Sequence, residues 1–300
     1  MPTLKILNFG SLNIDNVYDV EHFVRSGETI LSKKLSLFSG GKGLNQSIAV
    51  SRAGLQVYHA GKIGKDGTIL RQTLEQAGIN VDFVAESEQR TGHAIIQVDE
   101  KGQNSILLFS GANHDITEEF IEQVLSSFDE GDILLLQNEI NNIPAIMRKA
   151  KACGLLIAFN PSPISRELYD YPMECVKWFV LNEIEGNELT GQTDPVRIAE
   201  GLQKKYPGSS VVLTLGKDGV LYKDESITCR HGIYRVNRVD ATAAGDTFTG
   251  YFLSGIAMGL EIDEVLRRAS VASSLAVSRM GASSSIPGLE EVLGANLIPI

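Results

Sequence analysis

Residues 133–160 read ILLLQNEINNIPAIMRKAKACGLLIAFN. Ile133–Gln137 is a continuous apolar run. Ile143–Cys153 carries helical spacing and stops before Gly154, and Leu155–Asn160 is apolar again. Runs without polar alternation belong to strands covered on both faces. A Gly directly after a helix supplies the left-handed C-cap. Strand, helix and strand in so short a span predict parallel strands joined by a right-handed crossover.

The same rhythm extends in both directions. Further apolar runs are Ile6–Leu12, Val57–Ile63, Trp178–Leu181 and Val211–Leu215. Further helical stretches are Gly43–Ala53 before Gly54, Thr68–Ala77 before Gly78, and Thr117–Phe128. The last follows Asp115, with Glu118 three residues on, which predicts a capping box. Alternation over this length predicts an α/β fold of three layers, a mostly parallel sheet with helices on both faces. All strand C-termini then share one edge, where ligands bind. Val17–Ser39 and Thr91–Phe109 break the rhythm with β-type composition, turn signals and little helical periodicity. His93–Asp99, Gly102 and Ser105–Phe109 read as a hairpin. The two stretches predict a small β-sheet lid from segments of about 16–39 and 91–109, set near the ligand edge.

The chain has 300 residues, 43% of them apolar and 21% charged. That composition excludes a disordered chain, a collagen-like repeat and a coiled coil. No Pro- or Ser-rich linker, low-complexity segment or fixed-period repeat interrupts it, so one domain over residues 1–300 is expected. Lys plus Arg number 27 against 37 Asp plus Glu, a formal net charge of −10. Such a chain is poorly suited to a nucleic-acid backbone or an anionic membrane, so neither is expected as a partner. A small anionic ligand stays open, because a few donors and a metal ion invert the field locally. The three Cys (Cys153, Cys175, Cys229) are far apart and odd in number, and the five His form no HxxxH pair. Neither a disulfide framework nor a zinc site follows. With no signal-like start and no apolar run of membrane-spanning length, the cytoplasm is expected.

Three motifs lie on the predicted ligand edge. Asp240–Phe248, DATAAGDTF, follows a β-type run at Ile233–Val239 and opens a helical pattern over Thr247–Leu260. Its two Ala and its Gly leave backbone N–H groups uncovered at a helix start, an anion site. Asp246 there has a plain alternative role, complementing the helix dipole. Gly40–Gln46, GGKGLNQ, is neither a Walker A loop nor GxGxxG. It offers a cation (Lys42), an amide (Asn45) and several N–H donors, or else a flexible capped loop. Asn13 and Asp15, two apart at a strand end, point the same way. They suit adjacent sugar hydroxyls, against the alternative of an Asx-turn. Asn182 with Glu185, Thr214–Gly219 and Glu139 each follow an apolar run. Their alternatives are a helix cap, a hairpin turn and a solvated carboxylate.

Taken together, these residues resemble the ribokinase family of sugar kinases, the PfkB-type carbohydrate kinases. The resemblance covers essentially the whole chain and rests on two signatures, Gly40–Gly54 (GGKGLNQSIAVSRAG) and Asp240–Phe252 (DATAAGDTFTGYF). The GGKGxNQ form is similar to the ribose-phosphorylating branch more than to the fructokinase or adenosine kinase branches. So are Asn13 with Asp15, Glu139 after Gln137-Asn138, Asn160–Pro163, and Asn182 with Glu185.

The resemblance implies ATP-dependent phosphorylation of a sugar's primary hydroxyl, D-ribose to D-ribose 5-phosphate. It implies Asp246 as the base, with the N–H groups of Ala243, Ala244, Gly245 and Asp246 holding the transferring phosphoryl. Asn13, Asp15, Gly41, Lys42, Gly43, Asn45 and Glu139 would bind the sugar. Asn182 and the Thr214–Gly219 turn, with Gly216, Lys217 and Gly219, would line the ATP site, and Glu185 would lie near hydrated Mg²⁺. Ser270 stands where a His near the adenine is frequent. The positions matching the family's monovalent-cation site, a K⁺ site, are Asp240, Thr242, Ala276, Arg279, Gly281 and Ser285. Separately from the resemblance, the β-rich lid segments would leave one face of a thin sheet exposed, which predicts a homodimer through the lid. Two other readings remain open: another acceptor within the family (fructose, deoxyribose or a nucleoside), and a non-catalytic sugar- or nucleotide-binding protein. A dinucleotide oxidoreductase lacks support, because no GxGxxG follows the first strand.

Overall fold

A computed structural model describes residues 4–300. The first half of the chain forms β1 (Ile6–Phe9), β2 (Asn13–Asp19), β3 (Lys34–Gly40), α1 (Lys42–Arg52), β4 (Val57–Ile63), α2 (Thr68–Gln76), β5 (Asn80–Glu86), β6 (Gly92–Val98), β7 (Asn104–Phe109), α3 (Glu118–Leu125), β8 (Ile133–Gln137) and α4 (Ile143–Ala152). The second half forms β9 (Leu156–Asn160), β10 (Val176–Asn182), α5 (Glu183–Thr190), α6 (Pro195–Lys205), β11 (Ser210–Thr214), β12 (Val220–Lys223), β13 (Thr228–His231), α7 (Ala244–Ala257), α8 (Ile262–Val277) and α9 (Leu289–Gly294).

The large sheet has nine strands in the order β13-β12-β11-β10-β9-β8-β1-β4-β5. Neighbours from β11 to β5 pair parallel, and β12 and β13 close one edge as antiparallel strands. Alternate side chains of each strand enter different cores. Ile6, Ile133 and Leu135 meet Leu44 and Ile48 of α1, Phe252 of α7 and Val265 of α8. Leu7, Phe9, Leu134 and Leu136 meet Phe120 and Ile121 of α3, Ile146 of α4 and Leu202 of α6. Burying both faces is what makes the strands continuous apolar runs in sequence. The three expected layers are therefore present. Gly54, Gly78 and Gly154 follow their helices with φ of 90°, 75° and 81°, the expected left-handed stops.

A separate four-stranded sheet has the order β3-β2-β6-β7. It is made from the two stretches that break the sequence rhythm, including the β6–β7 hairpin. Among the described residues, no helix is long and apolar enough to cross a membrane.

Several boundaries differ from the sequence reading. The first strand stops at Phe9 rather than Leu12, because Gly10 turns the chain out of the sheet after donating to Ala60 O at 3.0 Å. Residues 233–239 are not a strand; they contribute one bridge, Tyr234 to Pro299. The helix expected at Thr247–Leu260 starts at Ala244 and ends at Ala257, where Gly259 (φ 69°) lets Leu260 N–H reach Gly255 O. The cap of α3 is Thr117, whose side chain accepts from Phe120 N–H. Asp115 instead accepts from Lys62 Nζ at 3.1 Å and Ser87 Oγ at 2.8 Å.

Candidate active site

The chain enters the large sheet at β1, inside its edges, then builds outward through β4 and β5 on one side and β8 to β11 on the other. β1 and β8 are thus neighbours whose following segments part in opposite directions, the crevice where open α/β sheets take ligands. Gly10–Asn13 leaves β1 there and Asn138–Glu139 leaves β8. The start of α1 presses onto the first of these turns. A Cβ on Gly43 would lie 2.3 Å from Ser11 N, and one on Gly10 would lie 2.7 Å from Gly43 Cα. Glycine at both positions permits this backbone approach. Leu44 N–H then donates to Ser11 O at 3.0 Å, and Lys42 N–H to Glu139 Oε2 at 3.0 Å.

Helix α7 delivers Asp246 to the same place. Asp246 and Gly250 are one turn apart on α7, and Asn45 and Ala49 are one turn apart on α1. A Cβ on Gly250 would lie 2.3 Å from Ala49 Cβ and 2.8 Å from Val50 N, so the helices cross in close contact at this glycine. The crossing brings Asn45 Nδ2 to 3.1 Å from Asp246 Oδ2 and Gln46 Nε2 to 2.9 Å from Oδ1. Both carboxylate oxygens accept, and the residue is 8% exposed. Ala243 precedes the helix in the left-handed region (φ 59°), with no side-chain cap. Ala244 N–H donates to Ala241 O at 3.2 Å. Among the described residues no acceptor meets the N–H groups of Ala243, Gly245 and Asp246. No side chain stands over Gly245, where an added Cβ would meet nothing. An uncapped helix start with a bare glycine is an anion seat.

Asn13 and Asp15 lie on β2, not in an Asx-turn, and alternation puts them on one face as expected. β2 runs between Gly40 of β3 and Gly92 of β6, both paired with Asn13. A Cβ on Gly40 would lie 2.0 Å from Asp15 Oδ2, and one on Gly92 2.4 Å from Asn13 Oδ1. The flanking glycines therefore make room for the two polar side chains. Burial first, and then the Glu139 carboxylate, push Asp15 up to about 7. Burial also raises Glu139, against the pull of Lys42 and of Ser11, whose hydroxyl it accepts. Burial works against the Lys42 ammonium, but the carboxylates of Asp246, Glu139 and Glu185 outweigh it and hold the amine above its ordinary value. Lys42 is the cation that stabilises this group of acids.

Two adjoining cavities lie at the start of α7, and Asp246 lines the smaller. One of about 260 Å³ is lined by Lys42, Asn160, Asn182, Glu185, Ala243 and Asp246. It shares Asn182, Thr214 and Gly245 with a larger cleft of about 520 Å³, whose walls include Gly216, Lys217, Gly219 and Ser270. Asn182 does cap a helix: its side chain accepts from Glu185 N–H at 2.9 Å and Glu185 answers to Asn182 N–H at 3.0 Å. The cap sits in the cavity wall, so the structural role and the site position coexist. Thr214–Gly219 is a hairpin turn between β11 and β12 and also lines the cleft. A third cavity, about 390 Å³, lies beside Asn13 and Glu139 beneath Leu108 and Phe109 of β7 and reaches Tyr171.

The segment carrying Asp240 adjoins the start of α7. Asp240 Oδ1 accepts from Thr242 N–H at 2.9 Å, and Oδ2 from Gly281 N–H at 3.0 Å. Partial burial disfavours this carboxylate, but those bonds bring it below its usual range. Arg279 N–H donates to Ala276 O, and Ser285 Oγ to Ala282 O at 2.8 Å, in the turn that follows α8.

Sequence reasoning places Gln46 and Asn160 only within motifs and gives no site role to them or to Ser11. Gln46 follows Asn45 directly. On an ideal helix neighbours point about 100° apart, which hides that both reach one carboxylate. Gln46 Nε2 also donates to Asn160 Oδ1 at 3.3 Å.

The sequence profile of the pfkB family carbohydrate kinases matches residues 3–289. The chain is 33% identical to the ribokinase of Haemophilus influenzae over 301 residues, 97% of each protein. A crystal structure of ribokinase from Cryptococcus neoformans in complex with ADP matches with a TM-score of 0.86 at 31% identity, covering 98% of this chain and 99% of that one. Arabidopsis thaliana ribokinase, complexed with ribose and ATP, matches at 0.85 and 28% identity, with 97% and 98% covered. A match that runs through every strand of both sheets and both glycine-rich helix starts leaves one assignment, and the chain belongs to the pfkB family of carbohydrate kinases.

Proposed function

We propose that the protein transfers the terminal phosphoryl group of ATP to the primary hydroxyl of D-ribose, giving D-ribose 5-phosphate and ADP. The observation that carries this reading is Asp246: a buried carboxylate, held at both oxygens, beside free N–H groups at an uncapped helix start. A pure binding site has no need of a carboxylate in an anion seat. Phosphoryl transfer needs positioning and charge stabilisation. Asp246 takes the proton of the sugar's primary hydroxyl as that oxygen attacks phosphorus. The N–H groups of Gly245 and Asp246, with Ala243, hold the equatorial oxygens. Asn13, Asp15, Asn45, Glu139, Lys42 and the backbone of Gly41 and Gly43 orient the sugar. The cleft past Asn182, Thr214, Gly216, Lys217 and Gly219 takes ATP, with Ser270 at its α8 wall.

A divalent ion, Mg²⁺, fits the inner end of that cleft. Glu185 and Asn182, in the cavity wall, would hold it through its water shell. Mg²⁺ dehydrates reluctantly and usually shares few protein oxygens with phosphate and water, which suits so sparse a set. It supplies charge neutralisation between the phosphates. The loop of Asp240 and Thr242 meets the end of α8 and the segment after it through the Gly281 N–H to Asp240 bond, and with Ala276, Arg279, Gly281 and Ser285 it offers one carboxylate and backbone carbonyls. This donor chemistry suits a monovalent cation, K⁺, behind the anion seat. A reaction that consumes ATP suits the cytoplasm, where ATP is abundant.

A second reading, a nucleoside acceptor, draws support from the 390 Å³ cavity beside Asn13 and Glu139, which offers room beyond a pentose. One panel separates the two: ADP release from Mg-ATP with ribose, 2-deoxyribose, fructose and adenosine. Ribose is expected to give the highest kcat/KM. A site whose polar groups pair with hydroxyls can reject an analogue lacking one by up to about 10⁴-fold, so 2-deoxyribose should be much poorer. A higher kcat/KM for fructose or adenosine would keep the kinase and reject ribose.

A further inference from the structure

Behind Asp246 runs a file of buried amides that the roles above leave unused. Gln46 Nε2 donates to Asp246 Oδ1, and its Oε1 accepts from Gln137 Nε2 at 2.8 Å. The same Gln137 nitrogen donates to Asn8 Oδ1 at 2.9 Å. Asn8 Nδ2 in turn donates to Gly43 O at 2.7 Å and to Ser47 Oγ at 2.8 Å. Asn8, Gln46 and Gln137 are sealed from solvent.

An amide can turn over and exchange its oxygen for its nitrogen, so its orientation needs a cause. Here both ends of the file are groups that only accept. The Gly43 carbonyl demands the NH₂ of Asn8, which turns the Asn8 oxygen toward Gln137. Gln137 must therefore present its NH₂. That nitrogen also faces Gln46, whose oxygen it engages, and the Gln46 NH₂ is left facing Asp246. One orientation satisfies every contact. Its consequence is visible: among the described residues Gln137 Oε1 is buried with no partner, against Gly10, whose added Cβ would lie 2.4 Å from it. Buried acceptors without partners are rare, and each calls for a reason.

The geometry points to Gln137 as a positioning residue: from the end of β8 it fixes the Gln46 amide so that an N–H, not an oxygen, faces the Asp246 carboxylate. With the Gln46 amide reversed, two oxygens would oppose each other and the carboxylate would turn from the acceptor hydroxyl. The assignment rests on Asp246 being the base.

The test is a kinetic cycle on the full chain with Gln137→Leu, Gln46→Leu and the double variant, and with Asp246→Asn as reference. A hydrogen bond to a charged group is at stake, so Gln137→Leu should lower kcat about 10- to 100-fold. KM for ribose and for ATP should stay within about twofold, since the interaction acts on the reacting geometry and not on uniform binding. Residues acting in series are not additive, so the double variant should be no slower than Gln46→Leu alone. Gln137→Glu, which keeps shape but cannot donate to both neighbours, should fall in the same direction and serves if the leucine variant does not fold. Parental kcat in the folded Gln137 variants, a loss carried by KM, or multiplicative losses in the double variant would each overturn the role. If Asp246→Asn itself keeps parental kcat, it is the base assignment that fails. If Asp246→Asn is inactive while the Gln137 variants are not impaired, only the positioning role falls.

Discussion

Asp15 sits in a group of acids, and its carboxyl has been pushed up to about 7 by burial and by Glu139. A raised value means that the carboxylate form is lost as pH falls through that point. The carboxylate is the better acceptor for two sugar hydroxyls. KM for ribose is therefore expected to rise as pH drops from 8 to 6, while KM for ATP stays level. Asp15→Asn should raise KM for ribose and flatten its pH dependence. A wild-type ribose KM that is level across that range would contradict the placement of Asp15 against the sugar. At this scale the sequence makes Asp246, Asn45, Lys42 and Asp15 legible, because polar residues among glycines at strand ends have few structural uses. Gln46 and Gln137 are not legible that way. Gln137 closes an apolar strand and looks like its polar boundary, and only the register of β1 beside β8 sets it next to Asn8.

The crossing of α1 and α7 is the element that assembles the site. Gly250 holds it close, and the same crossing sets both amide contacts of Asp246. Gly250→Ala forces a methyl into space already filled by Ala49 and Val50. Overpacking of this kind costs about 1–3 kcal/mol. Asp246, one turn away, would also move from Asn45 and Gln46. The expected outcome is a lower Tm together with a drop in kcat larger than any change in KM. Unchanged Tm and kcat would show that the crossing has slack. Elements of this kind differ in how plainly they are written. β8 is a continuous apolar run closed by Gln137, β4 a β-type run that also carries His59 and Lys62, and the bounds of both agree with the sequence reading. α8 has apolar positions at Val265, Leu266, Ala269 and Ala272, but small residues weaken the pattern. α5 starts at a cap that reads equally as a loop. Residues 233–239 have β-type composition but find only a short partner near the C-terminus, through the Tyr234–Pro299 bridge, and composition alone does not reveal how far a pairing extends.

Over the whole molecule, the small sheet stands out for its exposed apolar surface. Leu35, Leu37, Phe38, Ile106 and Leu107 are each at least half exposed. They lie on the two edge strands, β3 and β7, and exposed apolar surface of this amount normally marks an interface. We propose that two copies pair through this sheet, which also lids the sugar site through Leu108 and Phe109. Sedimentation velocity should find a dimer that Leu107→Glu converts to monomer; a wild-type monomer at tens of micromolar would remove the pairing. The chain carries a net charge of −10, so in the proposed reading anion recognition falls to local groups, Lys42 and the start of α7. That concentration of function in one helix start can be tested directly with Asp246→Asn, measuring kcat and, by calorimetry, the binding of ribose and of ATP. Loss of a general base lowers rates by about 10²–10⁴-fold, so kcat should fall by at least that order while both ligands still bind. A variant that keeps more than about a tenth of the parental kcat would contradict the assignment of Asp246 as the base.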